Sequence, residues 1–126
     1  MLFRSLVLLG LAGSAGLSLA RTRGLETVEE AFADRAYDRD GRLVPRTLPG
    51  AVIHDIEAVV ERCLAMALGG EVTAVDGSVV PLRPRSLCVH GDTPGAVEIA
   101  RAVRSALLDA DVLLAPFTGE EALCAS

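Results

Sequence analysis

The sequence predicts an α/β fold with mainly parallel strands, and three observations carry that prediction. Short apolar runs alternate with segments of helical period along most of the 126 residues, the order that builds βα units. The runs are continuous rather than alternating, as in strands covered on both faces. Apolar residues make up 51% of the chain and aromatic residues only 3%, so the core consists of Ala, Val and Leu making many small contacts, as under a helix-covered sheet. The length fits a single domain.

Each element has a local reason. Residues 6–11 read as a buried strand, residues 12–14 as a turn of small residues, and residues 15–23 as a helix closed by Gly24. Residues 1–20 also read as an export signal, with Arg4 ahead of the run and small residues at Ser18 and Ala20; pattern alone leaves the two readings even. Glycines 10, 13 and 16 interrupt this stretch too often for a membrane-spanning helix. Residues 30–34 (EAFAD) form a short strand that runs into a polar loop over residues 35–50, punctuated by Asp40-Gly41, Pro45 and Pro49. From Asp55, a capping residue, Ile56, Val59, Val60, Cys63, Leu64 and Ala67 keep helical spacing until Gly69-Gly70 stops them.

Residues 72–75 and 78–82 flank Asp76-Gly77, a dipeptide suited to a type I′ hairpin turn. Residues 86–90 (SLCVH) are a buried strand, and Thr93-Pro94 opens a helix with Thr as N-cap and Pro at its first position. Val97, Ala100, Val103 and Leu107 are expected on its inward face, and residues 111–115 read as a last strand before Pro116.

Composition excludes several function classes. Twelve Arg and no Lys against 17 acidic residues give a net charge of −5, which removes the electrostatic case for nucleic acid or an anionic membrane as partner. A mean hydropathy of +0.42 excludes a disordered chain. Cys63, Cys88 and Cys124 are widely spaced, with no paired-cysteine motif and no His at zinc-ligand spacing. Cys63 and Cys88 read as small buried hydrophobes, which suits a reducing compartment.

Two constellations carry chemistry. In the run from Cys88 to Gly95 (CVHGDTPG) a strand ends at His90, Gly91 permits a sharp turn, and a helix begins after Thr93. Ligands bind at the carboxyl ends of parallel strands. There His90 can transfer protons, Asp92 can orient it or hold a cation, and the amides near Gly95 can hold an anion. The alternative is that His90 bonds backbone while Asp92 and Thr93 only cap the helix. The second constellation is Asp34-Arg35-Ala36-Tyr37 with Arg42 and Arg46 in the loop beyond. Paired arginines there can grip a carboxylate or phosphate, or Asp34 can simply pin the loop by an ion pair to Arg35 or Arg46. His54 reads as a surface group.

Three separated segments, 24–55, 71–78 (EVTAVDGS) and 86–107, resemble in order the C-terminal half of the LamB/YcsF family, the A subunits of bacterial ATP-dependent 5-oxoprolinase. VLLGLAGS over residues 7–14 is similar to the family interior, which turns the opening fork toward a strand. The resemblance implies the C-terminal portion of a carbohydrate-deacetylase-like (β/α) barrel with an inserted β-hairpin, in a cytoplasmic enzyme that opens 5-oxo-L-proline to L-glutamate. It implies ATP, with Mg expected and no organic prosthetic group, and two partner proteins, the B and C subunits. Carried onto this chain, it makes His90, Asp92 and Asp34 catalytic candidates, Arg35, Arg46 and Tyr37 substrate-binding candidates, and Thr93 and Gly95 anion-binding candidates. No metal ligands are assigned.

Family members are roughly twice this length, in line with the ~200–250 residues of a barrel domain, and their Asp/Asn-rich first strand and His-bearing loops have no counterpart here. The expected organisation is a non-native leader over residues 1–5, half a barrel over 6–117 with unpaired sheet edges, and a frayed tail over 118–126. Such a truncated chain is expected to be inactive alone. Two other readings are a stand-alone metal-dependent amide or carbohydrate hydrolase and a secreted, non-catalytic binding domain.

Overall fold

A parallel sheet with helices on one side forms the larger part of the computed structural model, which describes residues 6–118. Strand β1 (Val7–Leu11) leads through the Ala12–Ser14 turn into α1 (Ala15–Thr22). Ser14 caps α1, its hydroxyl accepting from Leu17 N–H at 3.3 Å. β2 (Glu26–Phe32) follows and pairs in parallel with β1. β5 (Ser86–Cys88) pairs in parallel with the other side of β2, giving the order β1-β2-β5. The 53 residues between β2 and β5 hold a long ordered loop, α2 (Ile56–Leu64) and an antiparallel pair, β3 (Glu71–Thr73) and β4 (Val79–Pro81). Helix α3 (Ala96–Asp109) closes the chain against α2.

Close packing explains two of these elements in detail. Gly10 in β1 lies under Leu17 of α1, which is buried, and a Cβ at position 10 would stand 2.8 Å from Leu17 Cδ2. Gly10→Ala is therefore expected to cost about 1–3 kcal/mol by overpacking, read as a lower urea midpoint with an unchanged slope. In α2, Asp55 Oδ1 accepts from Ala58 N–H at 2.8 Å, the cap that the sequence indicates. The helix then widens into one π-helical turn, Ala65–Gly69, and ends on Gly70 at φ 67°. Val59, Cys63 and Met66 from this segment meet Ile99, Val103 and Leu107 of α3 over Ala31 and Ala33 of β2.

Several expectations change. β2 begins four residues earlier than residue 30 because the charges that argue against a strand are matched: Arg21 of α1 binds Glu29 at 3.0 Å and Ser86 donates to Glu30 at 3.0 Å. The Asp76-Gly77 turn is not type I′, since only Gly77 has positive φ (86°) and the closing bond runs from Gly77 N–H to Ala74 C=O. That is a type I turn ending in a left-handed glycine. β5 stops at Cys88, two residues short, because the chain turns at His90, where Thr93 N–H returns to the His90 carbonyl. Residues 112–115 form no ladder; they line a cavity of about 400 Å³ with Leu87, Val89, Val103 and Leu107. Val97 and Ala100 face outward, and Ile99 takes the inward place, because the buried stripe of α3 follows the i, i+4, i+8 spacing of Ile99, Val103 and Leu107. Residues 1–5 and all but the first residue of the expected tail lie outside the described residues. No helix among the described residues is long and apolar enough to cross a membrane.

Candidate functional site

Parallel pairing puts the carboxyl ends of β2 and β5 side by side. Phe32 and Cys88 are partners in register, and Ala33 N–H continues the ladder to the Cys88 carbonyl at 2.9 Å. Two residues beyond that pair on each strand come Asp34 and His90, 56 residues apart in sequence, with His90 Nδ1 2.8 Å from Asp34 Oδ1. The Phe32 ring lies 4.9 Å from the imidazole, centroid to centroid.

Asp34 is fully buried. Burial pushes its pKa up, but the hydrogen bonds from His90 and Thr93 and the charge of the imidazole outweigh that and hold the carboxyl below the usual carboxylate range. An ionised carboxylate only accepts, so Nδ1 carries the proton in this pair. With Nδ1 so engaged, Nε2 has no protein partner among the described residues, and the side chain keeps 20% exposure. An imidazole held through Nδ1 in this way turns Nε2 to the open side, and the carboxylate behind it stabilises the imidazolium whenever the ring carries both protons.

Thr93 completes the group. Its hydroxyl donates to Asp34 Oδ2 at 3.1 Å. The expected N-cap role is thus overturned: Gly95, at φ 78°, sits at the cap of α3 with no side-chain bond, and Pro94 precedes the helix. A Thr cap is ordinarily worth about 1 kcal/mol; here the hydroxyl serves the buried carboxylate instead. Gly95 supplies the left-handed turn into α3, while Thr93, engaged with Asp34, offers no free hydroxyl to an anion.

The other candidates separate. Asp92 is 78% exposed and its one ion pair among the described residues is with Arg46, at 3.9 Å, so the partner of His90 is Asp34 and not Asp92. Arg46 is half exposed and makes no other ion pair among the described residues. Arg35 is buried; its Nε donates to the Ala51 carbonyl at 3.2 Å and its Nη2 to the Val44 carbonyl at 2.7 Å. Its guanidinium thus ties the 35–53 loop rather than facing a substrate, and through carbonyls rather than through Asp34. Ile53 N–H returns to the Asp34 backbone carbonyl at 2.9 Å, so the same loop holds the main chain at Asp34. Tyr37 is fully buried, and its hydroxyl accepts from Phe32 N–H at 2.9 Å. It belongs to the core, not to a substrate surface.

Arg62 of α2 is an organising residue with no signal in the sequence. It lies 6.0 Å from the Tyr37 ring centroid and donates to the Arg35 carbonyl at 2.7 Å. Cys63 is buried, which pushes its thiol up to about 11, and Cys88 is raised for the same reason, so neither is a ready nucleophile.

Asp34, His90 and Thr93 thus gather at the carboxyl ends of adjacent parallel strands, the end of an α/β sheet at which ligands commonly bind. The chain belongs to the LamB/YcsF family, whose model matches residues 2–122. It is similar to a 5-oxoprolinase A subunit of Pseudomonas syringae pv. tomato, 51% identical over 92% of this chain and 45% of that protein. It is 56% identical to the 5-oxoprolinase A subunit of Streptomyces griseus over 86% of this chain and 44% of that protein. The crystal structure of a lactam utilization protein from Thermus thermophilus superposes with a TM-score of 0.84 at 46% identity, over 90% of this chain and 45% of that one. The chain thus spans about 45% of the length of the curated relatives it matches.

Proposed function

We propose that this chain is the C-terminal part of a 5-oxoprolinase A subunit. Such a protein is a (β/α) barrel that opens 5-oxo-L-proline to L-glutamate together with B and C subunits, in a reaction coupled to ATP hydrolysis. The observation that carries the reading is the buried Asp34 bonded to His90 at 2.8 Å at the carboxyl ends of adjacent parallel strands. The outer sides of β1 and β5, unpaired among the described residues, and the exposed Leu8 and Leu9 of β1 suit a sheet that continues into further strands.

A five-membered lactam is a stable amide and a poor electrophile, and ATP as co-substrate would make its carbon attackable by taking the amide oxygen as phosphoryl acceptor. The remaining steps need a base for water and an acid for the departing nitrogen. His90 Nε2 takes the proton from water, Asp34 holds the imidazolium, and the same proton passes to the amine as the C–N bond breaks, leaving an acyl phosphate that a second water cleaves to the free carboxylate and inorganic phosphate. The substrate also carries a carboxylate. Arg35 is committed to backbone carbonyls, so Arg46, whose one ion pair among the described residues is with Asp92 at 3.9 Å, is the cation assigned to it. No group of three His, Cys, Asp or Glu side chains suited to a metal converges among the described residues, and no step here is routed through one.

The test is 5-oxoproline-dependent phosphate release by this chain joined to the N-terminal half of the Streptomyces griseus protein and supplied with that organism's B and C subunits. His90→Ala is expected to lower kcat by about 10²- to 10⁴-fold. Arg46→Ala is expected to raise KM by about tenfold or more with a smaller change in kcat. Full activity in His90→Ala overturns the assignment. Turnover by the 126 residues with the B and C subunits alone overturns the requirement for the remaining part of the barrel.

A further inference from the structure

We propose that Thr93 is a positioning residue for the Asp34–His90 pair, clamping the carboxylate from its second oxygen so that the first stays aimed at the imidazole. The inference rests on the proposed role of this pair in the chemistry. Asp34 has two oxygens and a rotatable bond to its carboxyl group. His90 Nδ1 occupies Oδ1 at 2.8 Å, and the Thr93 hydroxyl occupies Oδ2 at 3.1 Å. With one donor on each oxygen, the plane of the carboxylate is fixed, and the His90 tautomer is fixed with it.

Thr93 is itself held at both ends. Its N–H returns to the His90 carbonyl at 3.2 Å, and its carbonyl accepts from Ala96 N–H at 3.0 Å, the first residue of α3. The hydroxyl therefore reports the position of the α3 start to the carboxylate. A Thr kept only for its helix would cap it; here Gly95 takes that place and the hydroxyl reaches back 59 residues instead. Other titratable groups that feel Asp34 are the Cys63 thiol of α2 and the Cys88 thiol of β5, both raised by burial and neutral through the range in which histidine titrates.

The experiment uses the two histidines of the chain, His90 and the exposed His54, as probe and internal reference. Imidazole ¹⁵N spectra of the 126-residue chain give the tautomer of each neutral ring. In the unaltered chain His90 is expected to be held as the Nδ1–H form. Thr93→Val, which keeps the shape and removes the donor, is expected to lower that population in favour of the Nε2–H form. Thr93→Ser is expected to restore it, with His54 unchanged throughout. A Thr93→Val spectrum equal to that of the unaltered chain overturns the proposal.

Should Thr93→Val not fold, the unaltered chain decides: a Thr93 hydroxyl proton protected from exchange supports the clamp, and a freely exchanging one overturns it. None of these signals depends on turnover. An active His90→Ala enzyme would thus remove the catalytic reading while leaving the clamp measurable.

Discussion

Asp34→Asn is expected to lower kcat of the completed enzyme by roughly 10³- to 10⁴-fold with little change in KM. The substitution keeps the size of a side chain that is fully buried, so the loss is one of charge and donor pattern rather than of volume. The carboxylate accepts from His90 on one oxygen and from Thr93 on the other. An amide places its NH₂ on one of those sites. Facing His90, it demands an acceptor at Nδ1 and sends the proton to Nε2, the nitrogen that should take one. Facing Thr93, it meets a hydroxyl that must turn away. In both cases the negative charge behind the imidazolium is gone. Equal kcat in Asp34→Asn would show that His90 works without it.

The same residue sets an acid limit on folding. Asp34 is held below its ordinary pKa in the folded chain, so its contribution to stability is complete above the unfolded value and is lost as pH falls through the folded one. Urea midpoints of the chain should therefore drop on acidification below about pH 4, and drop less steeply in Asp34→Asn. Parallel curves would remove Asp34 from the acid response.

Arg35→Ala is expected to destabilise the chain by about 3–5 kcal/mol, the larger of the stability effects foreseen here. Its guanidinium donates to the carbonyls of Val44 and Ala51 across a loop that has no helix and only two isolated bridges, Arg35 with Val52 and Tyr37 with Leu43. Truncation leaves both carbonyls without their charged donor and opens the small cluster of Ala36, Val44 and Ala51 beside it. Hydrogen bonds from charged donors contribute about 1.5–3 kcal/mol each, which sets the scale. Arg35→Lys keeps the charge but not the two-pronged geometry, and should recover only part of the loss. If Arg35→Ala instead leaves the urea midpoint unchanged and raises KM, the arginine faces substrate and its structural role is wrong. Arg46→Ala provides the contrast, since its side chain is half exposed and its one ion pair among the described residues is loose.

Local grammar wrote much of the fold. Asp55 was readable as a cap and Gly69-Gly70 as a stop, because each depends on neighbours within a few positions; residues 6–11 were readable as a strand, but the burial expected of it is not found, since Leu8 and Leu9 of β1 stand exposed. β2 was readable only in its second half. The glutamates at 26, 29 and 30 argue against a strand until Arg21 and Ser86 are seen to answer the last two. Residues 111–115 have the composition of a strand, but no ladder receives them, and the cavity between them and β5 takes their side chains.

The site divides along the same line. That His90, Asp34 and Thr93 each stand at an element end follows from the sequence, since strand ends and helix starts are marked by short-range signals. That His90 belongs to Asp34 rather than to the nearer Asp92 does not, because the pairing depends on β5 lying beside β2 after an excursion of 53 residues. The sequence by itself determined the α/β class, the Asp55 cap and the residues available for chemistry. The tertiary structure decided their work: the hydrogen bonds that burial makes obligatory ionised and fixed Asp34, close packing turned Arg35 and Tyr37 inward to hold the loop, and Arg46 and Asp92 were left in solvent. The physical reason is that burial and partnership are properties of juxtaposed elements, and no local pattern encodes which elements become neighbours.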